Sequence, residues 1–170
     1  MDSNTIISVI FILIIITFFV LIIRNKRKKE KKYLQPLFKL AGKVNCTISQ
    51  YEIWGNSIIG IDNLNNQIFV IGNINDVATF HCIKLTEFQI CKLNEVSRTV
   101  NIASRTLAIK GIGVKVIDKI ELVFVYLAKN KPDFIVEIYN NETGNFDLTG
   151  ELQIAEKWCK IANDKIESSK

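Results

Sequence analysis

From Ser3 to Ile23 the chain carries no charged side chain, and this run constrains the rest more than any other feature. Written as an α-helix at about 1.5 Å per residue, it reaches about 30 Å, the thickness of bilayer hydrocarbon. Its core, Ile6–Ile23, is crowded with Ile, Val and Phe. Such β-branched residues are mediocre helix formers in water. In lipid the helix is imposed anyway, because every backbone N–H and C=O must be paired within the segment. A cleaved leader would need a basic start, a shorter apolar core and small residues at the cut. Met1–Thr5 has no Lys or Arg, and Arg24-Asn25-Lys26-Arg27-Lys28-Lys29 follows the run. The expectation is a retained transmembrane anchor over residues 1–23.

Arg24, Lys26, Arg27, Lys28, Lys29, Lys31 and Lys32 form a membrane flank with one acid, Glu30, among them. Lys and Arg are retained on the cytoplasmic side. This places the protein in the cell membrane as a single-pass chain, N-terminus outside and C-terminal domain cytoplasmic. Each basic side chain near an anionic leaflet adds about 1 kcal/mol of attraction, so membrane lipids are the first expected partner. From Tyr33 onward fifteen basic residues balance fifteen acidic ones. A neutral domain lacks the concentrated basic face that phosphate backbones need, which argues against nucleic acid.

Tyr33, Leu34, Leu37, Phe38 and Leu40 have helical spacing, and Pro36 is expected to break continuity with the anchor. The short helix over 33–42 is read as part of a basic juxtamembrane linker, 24–42. It has two possible resting places, the membrane surface or the following domain. From Lys43 the period becomes alternating. Strands are expected over Val44–Trp54, Ser57–Ile61, Gln67–Ile71, Val77–Ile83, Glu87–Val96, Lys115–Ala128 and Phe134–Tyr139, separated by Asn-, Asp- and Gly-rich turns. The last segment returns to a helical stripe: Leu148, Leu152, Ala155, Cys159, Ala162 and Ile166, widened by Trp158. Asp147 or Thr149 is the expected N-cap.

Seven antiparallel strands closed by a C-terminal helix with a tryptophan, Trp158 in Glu156-Lys157-Trp158-Cys159, resemble the pleckstrin-homology-like (PH-like) superfold. The resemblance spans residues 43–170 and is to bacterial membrane-anchored proteins bearing such a domain. It implies the fold class α+β: an N-terminal transmembrane helix plus a seven-stranded antiparallel PH-like β-barrel or sandwich capped by a C-terminal helix. It also implies an interaction module. Phosphoinositide-binding members place Lys and Arg in the first hairpin loop, whereas the loop here, Asp62–Gln67, is acidic and amide-rich.

Chemistry is sparse. Cys46, Cys82, Cys91 and Cys159 contain no C-x-x-C pair, and His81 is the one histidine. No zinc spacing results, so neither a metal nor a cofactor is expected. In a reducing compartment the thiols read as small buried hydrophobes; inverted topology would leave a disulfide open. Neighbouring His81 and Cys82 would face opposite sides of a strand, which excludes a dyad between them, whereas Cys91 could approach His81 across a hairpin. Gly111-Ile112-Gly113 lacks the third glycine of a dinucleotide loop. The segment Ser97–Lys115 reads as a long connection holding Arg98, Arg105, Lys110 and Lys115 and no acid. These four are the candidate contacts to a partner or to lipid headgroups. The expected function is a membrane-anchored, non-enzymatic scaffold with an unidentified protein partner. The alternatives are a peripheral lipid-headgroup sensor and, behind it, an enzyme whose site the sequence does not reveal.

Overall fold

The computed structural model describes residues 16–18, 21, 30–72, 77–102, 112–143, 148 and 150–169. A helix, α1, occupies residues 30–42. Strands β1 (Gln50–Trp54), β2 (Ser57–Asp62), β3 (Gln67–Gly72) and β4 (Thr79–Lys84) form one antiparallel meander. A 3-10 turn, Leu85–Glu87, leads into β5 (Phe88–Ile102), β6 (Ile112–Tyr126) and β7 (Phe134–Asn140), a second meander. A second 3-10 turn, Asn141–Thr143, precedes α2 (Glu151–Ser168).

This corrects the expected fold class. Where α+β with a transmembrane helix is expected, the described chain is mostly β: two separate antiparallel sheets, of four and three strands, and a C-terminal helix. The break has a local cause. Leu85 is fully buried, and its N–H donates to the Asn66 carbonyl at 2.9 Å. This turns the chain out of the first sheet, so β5 pairs with β6 and not with β4. Among the described residues no helix is long and apolar enough to cross a membrane. Of the anchor expected over Ile6–Ile23, residues 16–18 and 21 are helical with exposed side chains; the rest lies outside the described residues, as do Arg24–Lys29.

The strands of the first sheet are nearly continuous apolar runs because both faces are covered. Ile59, Ile61, Ile68, Val70 and Ile83 face the main core with β5–β7 and α2. Ile58, Phe69 and Ile71 face the other way, against Leu37 and Ala41 of α1. Of the two places open to residues 33–42, the structure therefore shows packing on the domain. Pro36 does not end the helix, which already runs from residue 30. An interior proline costs about 3 kcal/mol; full burial of Leu37 against the sheet offsets it. Gly60 makes the close approach possible, since a Cβ there would lie 2.9 Å from Leu37 Cδ2 and 3.2 Å from Ile48 Cγ2. Beyond α1 the chain turns through Asn45, with φ +54°, and β1 starts at Gln50 rather than Val44.

Trp158 is fully buried on α2. Its Nε1–H donates to Glu52 Oε2 at 3.0 Å, and Lys157 Nζ meets the same oxygen at 2.6 Å. One carboxylate on β1 thus fixes α2 across the open end of the core. The N-cap of α2 is Gly150, at φ +120°, without a side-chain cap. This replaces the expected Asp147 or Thr149, both outside the described residues.

If α1 is an integral layer, Leu37→Ala is expected to destabilise the chain by about 2–5 kcal/mol. Removal of residues before Lys43 is expected to cost at least as much. Urea denaturation of chains starting at residues 30 and 43 measures this; equal midpoints would show that α1 contributes nothing.

Candidate functional site

Edge strands are where a sheet can still bond to something else. The second sheet has edges β5 and β7, and the first has β1 and β4. The β5 edge is closed in part by α2. The Asn163 side-chain amide accepts from Cys91 N–H at 2.8 Å through Oδ1 and donates to the Cys91 carbonyl at 2.8 Å through Nδ2. It does there what a neighbouring strand would do.

The β7 edge is different. Six consecutive residues, Ile135–Asn140, line a groove of about 600 Å3. β7 is an edge strand, and an edge strand can present successive residues in this way. The opposite wall is Gly72, Thr79 and His81, and the floor includes Trp54, Val70 and the β1–β2 turn at Gly55-Asn56. Gly55 takes φ +47° at the first central position of that two-residue turn, a conformation that suits glycine. A smaller hollow of about 230 Å3, lined by Phe80–Lys84, Tyr126 and Phe134, lies beside it. His81 borders both, and its ring meets Phe134 edge-on at 5.1 Å between centroids. The groove thus runs between the β4 and β7 edges, with the His81–Phe134 contact bridging it.

The pattern of β7 follows from a bulge. Tyr139 pairs with Ile120 and Glu137 with Glu121, so Ile138 is the extra residue. Ile138 and Tyr139 are consequently both buried, although plain alternation places Phe134, Val136 and Ile138 alone on the inner face. Before the bulge the strand is regular, and there Ile135 keeps 53 % of its surface exposed. At the groove rim, Lys119 bridges Glu121 at 2.6 Å and Glu137 at 3.3 Å. The Lys119 ammonium, opposed by burial and aided by the Asn94 amide at 2.8 Å, holds the Glu121 carboxyl below its usual range.

The cations singled out by sequence are placed otherwise. Ser97–Lys115 is not a long connection: β5 continues to Ile102 and β6 begins at Ile112, so residues 97–102 pair with 112–117 as a two-stranded ribbon. Arg98 Nε lies 3.3 Å from Asp118 and Lys115 Nζ 2.6 Å from Glu95, so each is ion-paired. Arg105 and Lys110 lie outside the described residues. Of the membrane flank, Lys31 and Lys32 sit exposed on α1. His81 and Cys82 face opposite sides of β4, as alternation requires, and Cys91 packs beside Cys159 and Asn163 rather than near His81. Among the described residues no group of three or more His, Cys, Asp or Glu is arranged to hold a metal ion.

In the β2–β3 loop Asp62 has a structural role. Its buried carboxylate accepts from the backbone N–H groups of Thr47 (2.7 Å), Leu64 (2.8 Å) and Asn65 (3.0 Å) and from Asn65 Nδ2 (2.8 Å). Burial alone would raise its pKa; these bonds outweigh burial and hold the carboxyl well below its usual 3.8. Asn66 closes the loop at φ +50°.

Comparison with protein-family models, with curated proteins and with solved structures gives no match.

A carboxylate held below its ordinary value stabilises the fold above that value, and the contribution fades as pH falls toward the folded-state value. Asp62→Asn is therefore expected to lose about 1–3 kcal/mol at pH 7. Its stability should also decline less steeply than the wild type between about pH 4 and pH 2. Urea midpoints across that range provide the check; parallel acid limbs would rule out this role for Asp62.

Proposed function

We propose that this protein is a non-enzymatic interaction module, held at a membrane by its charge-free N-terminal run, that receives a short extended segment of a partner protein in the groove between β4 and β7. The observation that carries the reading is the edge-on lining of the groove by Ile135–Asn140. An edge strand offers backbone donors and acceptors to an added strand, and neighbouring pockets take its side chains. The Ile138 bulge limits regular pairing to Phe134–Glu137, so the occupant contributes a strand of a few residues. Tethering to a membrane raises the local concentration of a second contact, so a short strand suffices for useful occupancy.

The sequence of a four-stranded meander, a three-stranded meander and a helix bearing a buried tryptophan supports kinship with PH-like interaction domains. The basic flank supports a cytoplasmic location for the domain. Headgroup sensing has less support, because Arg98 and Lys115 are already matched by acids of the same ribbon.

A photo-crosslinking side chain at Ile135 is expected to give a discrete adduct with one partner in intact cells, while the same group at exposed Glu156 on α2 gives none. The adduct should disappear when His81→Glu is added. Adducts equally strong at both positions, or unaffected by His81→Glu, would contradict the proposal.

A further inference from the structure

Cys46 and Cys82 are distant in sequence but share one acceptor. Cys46 Sγ–H donates to Gln67 Oε1 at 3.3 Å, and Cys82 Sγ–H donates to the same oxygen at 3.4 Å. The sheet accounts for the meeting. Cys82 is the cross-strand partner of Phe69, so both side chains lie on the face that α1 covers. Cys46, in the turn after α1, packs into that same cluster with Phe69 and Leu37. The two thiols differ in access: Cys82 is exposed and Cys46 is buried. Thiol–disulfide exchange with a small disulfide needs one sulfur reachable from solvent, which Cys82 supplies, and a second within reach to resolve the product, which Cys46 supplies.

We propose that Cys82 and Cys46 form a thiol-exchange pair, with Cys82 attacking a low-molecular-weight disulfide and Cys46 resolving the product. In the first step the Cys82 thiolate forms a bond to one sulfur of the small disulfide. The disulfide's S–S bond breaks, and one small thiol leaves with a proton. In the second step Cys46, giving up its own proton, attacks Cys82 Sγ and expels the second small thiol. The protein loses two hydrogens and is oxidised; the small disulfide gains them and is reduced to two thiols. Gln67 Oε1 releases both sulfurs as they join. The product ties the turn after α1 to the β4 edge, and so clamps the α1 layer onto the first sheet.

Burial raises the thiols of Cys46 and Cys82 above the ordinary value, so exchange quickens as pH rises toward and past it. The other thiol neighbours, Cys91 and Cys159, serve as an internal control. Cys91 is 2 % exposed, and Cys159 Sγ is committed to the Cys91 carbonyl at 3.3 Å. The inference does not depend on the groove having an occupant.

The test uses the full chain in detergent micelles or lipid nanodiscs, incubated with oxidised glutathione at pH 8, then acid-quenched, alkylated and mapped by mass spectrometry. The expected product is a chain lighter by two hydrogens, with the Cys46 and Cys82 peptides joined. Cys46→Ser should stop at a glutathione adduct on Cys82, and Cys82→Ser should gain neither adduct nor cross-link. A wild-type chain that stops at the Cys82 adduct, or that joins Cys91 to Cys159 first, would overturn the proposal, whatever the variants do.

Discussion

The central pair of strands, β2 and β3, must be dry on both faces, and the rest of the structure follows from that. Ile58-Ile59-Gly60-Ile61 and Ile68-Phe69-Val70-Ile71 place apolar side chains alternately up and down, and each is buried. Burying apolar area is the main favourable term in folding, at about 25 cal/mol per Å2. Neither face can be left to water without losing that contribution. The inner face is covered by β5–β7 and α2. The outer face has α1, seated over Gly60. The helix following the basic flank is therefore a structural layer of the domain.

Covering faces leaves the matter of edges. The β5 edge is met by Asn163, whose amide takes the place of a strand at Cys91. The β7 edge is bent by its bulge at Ile138, a device that limits uncontrolled pairing. Yet its first residues border the groove opposite β4, and among the described residues both are edge strands. A partly blunted edge beside a polar hollow suits a short, specific addition and disfavours open-ended self-association.

The strand sequence was legible where period and turn agreed. Ser57–Asp62, Gln67–Gly72 and Phe134–Asn140 fall within a residue of the alternating pattern, because Gly55-Asn56, Asp62–Asn66 and Asn130–Asp133 mark their ends. The ribbon of β5 and β6 was missed because Val100, Ile102, Ile112 and Val114 alternate only weakly among polar residues. Residues 96–100 are all exposed, so no buried face sharpens the period there. The helix expected over 33–42 is present and begins earlier, at residue 30; burial of Leu37 against the first sheet holds it through Pro36. The separation into two sheets depends on Leu85 finding the core, which no local pattern reveals. The site was least legible of all. His81 stood out by composition, but its pairing with Phe134, and the meeting of the β4 and β7 edges, are products of topology.

The claim on which the functional account stands is that the outer edge of β7 is open over Phe134–Glu137. Native-state amide hydrogen exchange on the full chain addresses it directly. Amides of β2 and β3 should exchange only with global unfolding, while within Phe134–Glu137 those directed away from β6 should exchange many orders of magnitude faster than those laddered to it. Uniformly slow exchange along β7, matching β2, would mean that the edge is already occupied and would contradict the account.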